Sequence, residues 1–315
     1  MNMNEDAGIK RVYTRALDPV HIGAGGYRLG RVDNTIVRDP ATDVPKVPGT
    51  SIAGVVRAFY TVYLMENDNE CKSKSNEEEK KECAEEKAKL VFGDETKKGI
   101  LRFYDGQIVF FPVSSIQGTV WITTKELIEY WFGEIKDKNG EKIKIPDEIG
   151  NEAYAIKGID TDKPLNLGWL LLKVEKAENE QELVLPSEIK NWVKRIVLVS
   201  EKLFSHIVND NLEVRTSVKI DSDTGTAEAG KLFTYEAIPR GTVFGFEIGV
   251  DYALAKQRER DIKNINDVLN KIIEAVSPYL RNLGIGGMGT RGFGRIELAI
   301  EQKVKSQGGE TNAQS

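Results

Sequence analysis

Histidine and cysteine are nearly absent: His21 and His206, Cys71 and Cys83, in 315 residues. Neither cysteine belongs to a CxxC pair and both lie in a highly charged segment, so neither a disulfide framework nor a zinc site is expected. No apolar run approaches the ~20 residues that span a bilayer. The N-terminus, MNMNEDAGIKR, lacks the apolar stretch of a signal peptide, and a cytoplasmic protein is expected. Excess positive charge is also lacking. The formal net charge is −5, which by itself does not recommend a nucleic-acid partner.

What is present is uneven. Hydrophobic residues make up 40%, enough for a real core, and charged residues 30%, with a Lys and Glu richness of the kind found in heat-adapted proteins. The acid concentrates in NEEEKKECAEEK and in the 134–152 and 175–188 stretches. The glycine-rich segments instead carry base: Arg28, Arg31, Arg38, Lys46, Arg57, Arg291 and Arg295. Cations on glycine-rich backbone suit phosphate contact.

The C-terminal run GGMGTRGFGRIEL contains the Gly287-x-Gly289-x-x-Gly292 spacing of a dinucleotide-binding loop. Its context is wrong for one. The preceding stretch has Ile262, Ile265, Val268, Leu269, Ile272, Ile273 and Val276 at helical spacing, and the following one alternates Ile296, Leu298 and Ile300 as a strand does. A Rossmann loop runs from strand to helix, the reverse order.

Along the chain, 11–20 predicts a strand, 21–50 a long loop with apolar punctuation, and Thr50 or Ser51 the cap of a helix through IAGVVRAFYTVYLME. Residues 66–98 predict a solvated helical insertion. Strands follow at GILRFYDGQIVFFPV and GTVWITT, a strand pair at LGWLLLKVEKA and ELVLP, and a helix over about 187–208. Residues 212–251 predict a long β-hairpin around DSDTGTAEAG that returns into a core strand at Thr242–Val250. Strands and helices in this order predict an α+β fold.

Three segments then combine: HIGAGGYRLGRVDNTIVRDPATDVPKVPGTSIAGVVR, the hairpin VRTSVKIDSDTGTAEAGKLFTYEAIPRGTVF, and the loop GIGGMGTRGFGRI. Together they resemble the RAMP superfamily of CRISPR type III effector complexes, and within it the repeating backbone subunit. FFPVSSIQGTVWIT and TGTAEAG look most like the Cmr-complex (type III-B) backbone protein, with the Csm-complex (type III-A) one the near alternative. The resemblance covers about 11 to 300 but not the insertion.

It implies a ferredoxin-like (RRM-like) palm over 11–304 carrying the 66–98 insertion and a thumb hairpin at 212–241, between a tail at 1–10 and a disordered tail at 305–315. It implies partners: a guide RNA (crRNA), a complementary single-stranded target RNA, further copies of the chain in a helical stack, and other effector subunits. It also implies cleavage of the target at regular intervals with Mg²⁺ or Mn²⁺. Asp33 matches the family's catalytic, metal-supporting aspartate, His21 its loop histidine, and Glu236 a glutamate near the hairpin's return strand. RNA contacts are expected from Arg28, Arg31, Lys46, Gly49, Thr50, Ser51, Arg57, Gly286, Gly287, Gly289, Arg291 and Arg295. Two positions depart from the pattern: Ala53 stands where relatives have a lysine, and Ala237 where an aromatic occurs.

The chemistry is coherent without the name. RNA carries its own nucleophile, the 2′-hydroxyl, and one carboxylate can hold an ion otherwise ligated by water and phosphate oxygens. Glycines let backbone N–H groups approach a sugar-phosphate, as a subunit repeating along a variable guide requires. Plainer readings exist: Asp33, Asp39 and Asp43 as turn residues, His21 satisfying a loop carbonyl, His206 as a helix-surface or core residue, Lys46 and Arg57 as surface charges. At the level of function, the alternatives are a non-catalytic architectural subunit and a guide-processing endoribonuclease.

Overall fold

The computed structural model describes residues 9–25, 32–133, 145–146, 149–176, 185–220, 226–258 and 265–299. In chain order the elements are β1 (Ile9–Ala16), β2 (Lys46–Val47), α1 (Gly49–Asn67), α2 (Asn69–Lys72), α3 (Glu77–Phe92), β3 (Leu101–Phe103), β4 (Gly106–Ser115), β5 (Gly118–Thr123) and α4 (Lys125–Phe132). Then come β6 (Ala153–Lys157), β7 (Leu165–Leu167), β8 (Leu170–Leu172), β9 (Val174–Lys176), α5 (Ser187–Trp192), β10 (Ile196–Leu198) and α6 (Glu201–Asp210). The chain closes with β11 (Glu213–Ile220), β12 (Ala227–Ala237), β13 (Val243–Val250), α7 (Tyr252–Gln257), α8 (Ile265–Asn282) and β14 (Ile296–Ala299).

This is a mixed α+β architecture. One large sheet runs β14-β1-β13-β4-β5-β10-β6-β9, with β2 added to β4 and β3 to β13. Most neighbours are antiparallel, whereas β10 is parallel to β5 and β9 to β6. Period-two patterning sorts side chains between the faces. On β13, Phe244, Phe246 and Ile248 join Ile52 and Val56 of α1 and Leu269, Ile272 and Val276 of α8 in the larger core. Val243 faces the other way, into a core with Phe110, Ile128, Trp131 and Ile189. Gly245 lets α4 lie against the sheet, because a Cβ there would stand 2.9 Å from the Trp131 ring.

The hairpin β11–β12 is a separate two-stranded sheet, with Glu213 opposite Ala237 and Val218 opposite Leu232. Its second strand leads through Ile238 into β13, which pairs with β1 at the middle of the large sheet.

Four expectations are corrected. The helix over 187–208 is two helices separated by β10. Ile196, Val197, Leu198 and Val199 are all buried, and a short, β-branched apolar run serves a central strand as readily as a helix. The run LGWLLLKVEKA is not one strand, and residues 182–184 of its expected partner ELVLP lie outside the described residues. The run divides into β8, which pairs with β7, and β9, which pairs with β6, while Leu185 and Pro186 lead into α5. Neither Thr50 nor Ser51 caps α1. Pro48 takes the cap position without a side-chain bond, and the Gly49 N–H donates instead to the Asp105 carboxylate at 2.8 Å. Finally, Cys71 and Cys83 form a disulfide. The insertion folds α2 and α3 back against α1, with Cys71 buried beside Leu64 and Ala84.

Candidate nucleic-acid interface

Three distant segments meet at the foot of the hairpin, and residues 17–23 lie between the other two. On one side the C-terminal glycine loop bonds this strip: Leu17 N–H donates to the Arg295 carbonyl (2.8 Å), Gly294 N–H to that of Pro19 (2.9 Å) and Gly287 N–H to that of His21 (2.9 Å). On the other side Val20 and Ile238 exchange both backbone bonds, at 2.8 and 2.9 Å. The His21 ring is enclosed, 6% exposed, with Nδ1 2.6 Å from the Glu236 carbonyl. A carbonyl only accepts, so Nδ1 carries the proton and the ring braces strip to hairpin.

The strand β12 also holds residues 33–38. Asn34 N–H donates to the Thr234 carbonyl and Glu236 N–H to that of Asn34, both at 3.0 Å. Glu236 is buried and both its oxygens are engaged: Oε2 accepts from Ile36 N–H (3.2 Å) and Oε1 from Arg38 Nη2 (2.6 Å). Arg38 Nε reaches Asn209 Oδ1 on α6 at 3.0 Å.

Asp33 is the open member of the group. Its Oδ2 accepts from the Thr234 N–H at 2.8 Å and from the Thr234 hydroxyl at 2.9 Å. Its own N–H donates to that hydroxyl at 2.9 Å. Among the described residues Oδ1 has no partner. The Thr234 backbone N–H, then its hydroxyl, hold the Asp33 carboxyl below the ordinary value, so it is ionised at neutral pH. A turn aspartate behaves differently: Asp39 accepts from Ala41 and Thr42, and Asp94 from Thr96 and Lys97. Asp33 takes its partner from 201 residues away.

The glycine loop divides by role. A Cβ on Gly286 would stand 2.4 Å from the His21 carbonyl, on Gly284 2.3 Å from the Gly294 carbonyl carbon, and on Gly294 2.4 Å from the Ile285 carbonyl. All three have positive φ. These glycines serve the chain's own close approach. At Gly289 and Gly292 the space is open, with nothing nearer than 3.8 Å. Beside them Arg291 lies exposed, Nη1 3.2 Å from the Tyr235 hydroxyl and 3.3 Å from Ser217 Oγ, its guanidinium 5.8 Å from the Tyr235 ring centroid. Arg215 of β11 lies 4.7 Å over Phe293. The loop and hairpin foot are one surface.

The remaining expected contacts are dispersed or engaged. Arg295 forms a two-point pair with Asp18 (2.5 and 3.1 Å), which lowers the Asp18 pKa. Lys46 pairs with Asp105 at 2.7 Å, which raises the lysine and lowers the aspartate. Arg57 donates to the Gly93 carbonyl at 3.0 Å, at the end of the insertion. Arg28 and Arg31 lie outside the described residues, and His206 is exposed on α6. Thr234, Tyr235, Ser217 and Asp105 join the expected residues at these contacts. Thr234 stands alternate to Glu236 on one strand, and this spacing was the available signal.

A RAMP superfamily model matches residues 14–297. The chain belongs to the RAMP superfamily. Among RAMP proteins it is 29% identical, over an alignment of 310 residues covering 93% of this chain and 95% of the relative, to the CRISPR system Cmr endoribonuclease Cmr4 of Pyrococcus furiosus. Its fold is similar to a chain of the type III-B Cmr-beta complex in the apo state, with a TM-score of 0.64 and 18% identity over 94% of this chain and 98% of that one. It is also similar to oligomeric Cmr4 from Pyrococcus furiosus, with a TM-score of 0.57 and 22% identity over 92% and 97% of the two chains. The three segments at the hairpin foot therefore fall within the RAMP match. Among the described residues, no helix of this RAMP protein is long and apolar enough to cross a membrane.

Proposed function

We propose that this RAMP protein is the backbone subunit of a type III-B CRISPR effector complex, which binds crRNA and cleaves complementary target RNA. The large sheet with its helices acts as a ferredoxin-like palm, and β11–β12 is the thumb. Copies stack through contacts that do not close, which generates an open helical array. The relative named as a Cmr endoribonuclease supports this reading, as does the likeness in fold to a chain of the type III-B Cmr-beta complex bound to cognate target RNA (TM-score 0.64, 15% identity).

The observation that carries it is Asp33: an ionised carboxylate at the hairpin foot with one oxygen fixed and one without a partner among the described residues. No cage of carboxylates surrounds it among the described residues. The cluster of metal-ligand type found there is Asp68 with Cys71 and Cys83, whose cysteines are already joined. A lone carboxylate fits Mg²⁺ or Mn²⁺, which keep most of their ligands as water and phosphate oxygens. Asp33 Oδ1 would hold the ion, which when bound supplies charge neutralisation at the scissile phosphate. The chain's own work is placement. Gly289, Gly292 and Arg291 hold the sugar-phosphate without reading sequence, and the hairpin fixes the strand against Asp33 for in-line attack by the 2′-hydroxyl. His21 and Glu236, braced inside, act by shaping this foot. A purely architectural subunit would need no free carboxylate at this position. A guide-processing enzyme would need an accessible acid–base pair, and His21 is enclosed.

The test is metal removal. The assembled complex, with guide and labelled complementary RNA, is expected to cut at regular spacing in Mg²⁺ or Mn²⁺ and to stop in EDTA. Undiminished cutting in EDTA would overturn the metal assignment. Tight guide-dependent binding without cuts would establish the architectural reading.

A further inference from the structure

Thr234 does three things at once. Its N–H and its hydroxyl both donate to Asp33 Oδ2, and the same hydroxyl accepts from the Asp33 N–H. We infer that Thr234 is the positioning residue of the cleavage site: it fixes Oδ2, and so leaves Oδ1 as the oxygen available to a ligand. This inference rests on the catalytic reading of Asp33 given above.

A hydroxyl is what this geometry requires. One group must donate to the carboxylate and accept from the amide, which a hydroxyl does with one proton and its lone pairs. Valine has nearly the same shape and can do neither, while serine can do both. The rest of the segment does not depend on the hydroxyl. Asn34 N–H bonds the Thr234 carbonyl, Asn34 accepts from Glu236 N–H, and Ile36 N–H bonds the Glu236 carboxylate. Removing the hydroxyl therefore loosens the carboxylate and leaves the loop in place. Thr234 sits on β12, opposite Thr216 of β11, so the group that holds the carboxylate belongs to the hairpin.

Thr234→Val, Thr234→Ser and Asp33→Ala would be compared in the assembled complex with guide, saturating target and Mg²⁺. The valine variant is expected to cut about 10- to 100-fold more slowly, the scale set by small misplacements of a reacting group. Its target affinity should be unchanged, and serine should restore the rate. A second readout needs no metal. In the isolated full-length chain the Asp33 amide should exchange with solvent about 10-fold faster in the valine variant, and at the original rate in the serine one. Wild-type cutting by the valine variant with an inactive Asp33→Ala would overturn the positioning role and leave the Asp33 reading intact. Equal loss in the valine and serine variants would overturn it too, by pointing to the strand and not the hydroxyl. Wild-type cutting by Asp33→Ala would overturn the reading on which the inference rests.

Discussion

At the scale of single residues, the divide is between charges already engaged and charges left open. Arg295 is committed to Asp18 by two bonds, whereas Arg291 lies exposed with long contacts to hydroxyl groups. Arg291→Ala is therefore expected to weaken RNA binding alike for all sequences and to reduce the slope of log affinity against log salt by about 1. Titration of binding at several salt concentrations checks this, and an unchanged slope would place Arg291 off the RNA path. Arg295→Ala should lower melting temperature instead and leave that slope alone. The charge total of the chain hid this distinction. Basic residues on glycine-rich segments were visible in the sequence, but which of them face a carboxylate depends on contacts such as Asp18 with Arg295, 277 positions apart. Thr234 likewise meets Asp33 from 201 positions away.

At the scale of elements, glycine is what divides fold from function. In the loop between α8 and β14, Gly294 lies against the Ile285 carbonyl, while Gly289 is open. Gly294→Ala should lower melting temperature by several degrees, since backbone must shift and φ is strained. Gly289→Ala should melt as the wild type does and bind RNA more weakly. Equal melting temperatures for the two variants would contradict the division. The start of α1 gives a second case. Asp105 accepts the Gly49 N–H and pairs with Lys46, so Asp105→Ala should cost about 1 kcal/mol, the usual worth of a cap. Its pKa is lowered below 3.8 by Lys46 and then by the Gly49 N–H. A depressed carboxylate stabilises fully above its unfolded value and loses that contribution as pH falls through its folded value. The stability gap between wild type and variant should therefore be constant above 3.8 and close at lower pH, as read by denaturant unfolding across acid pH. The helix–loop–strand order around the glycines was legible, because α8 has an apolar stripe at helical spacing and β14 alternates. β10 was not: a run buried on both faces carries no period to separate strand from helix. Asp105 was not legible either, since its cap comes from a turn far along the chain.

At the scale of the whole molecule, the fold exists to bring distant motifs together. His21, Asp33, Glu236 and the 286–295 loop meet because β1, β13 and β14 are neighbours in the large sheet. Order and content of these motifs were plain in the sequence, and their convergence at the hairpin foot follows from the register of that sheet. The insertion was also visible, though not its disulfide. The charged run of α2 and α3 conceals that both cysteines point to one inner cluster with Leu64 and Ala84. The proposed reaction is cleavage of RNA by the assembled subunit through Asp33. Its most direct test is Asp33→Ala in the complete complex, loaded with guide and given labelled complementary RNA in Mg²⁺. Cleavage is expected to be lost at every site while target affinity stays nearly unchanged. Cleavage at the wild-type rate would contradict it and return Asp33 to a structural role.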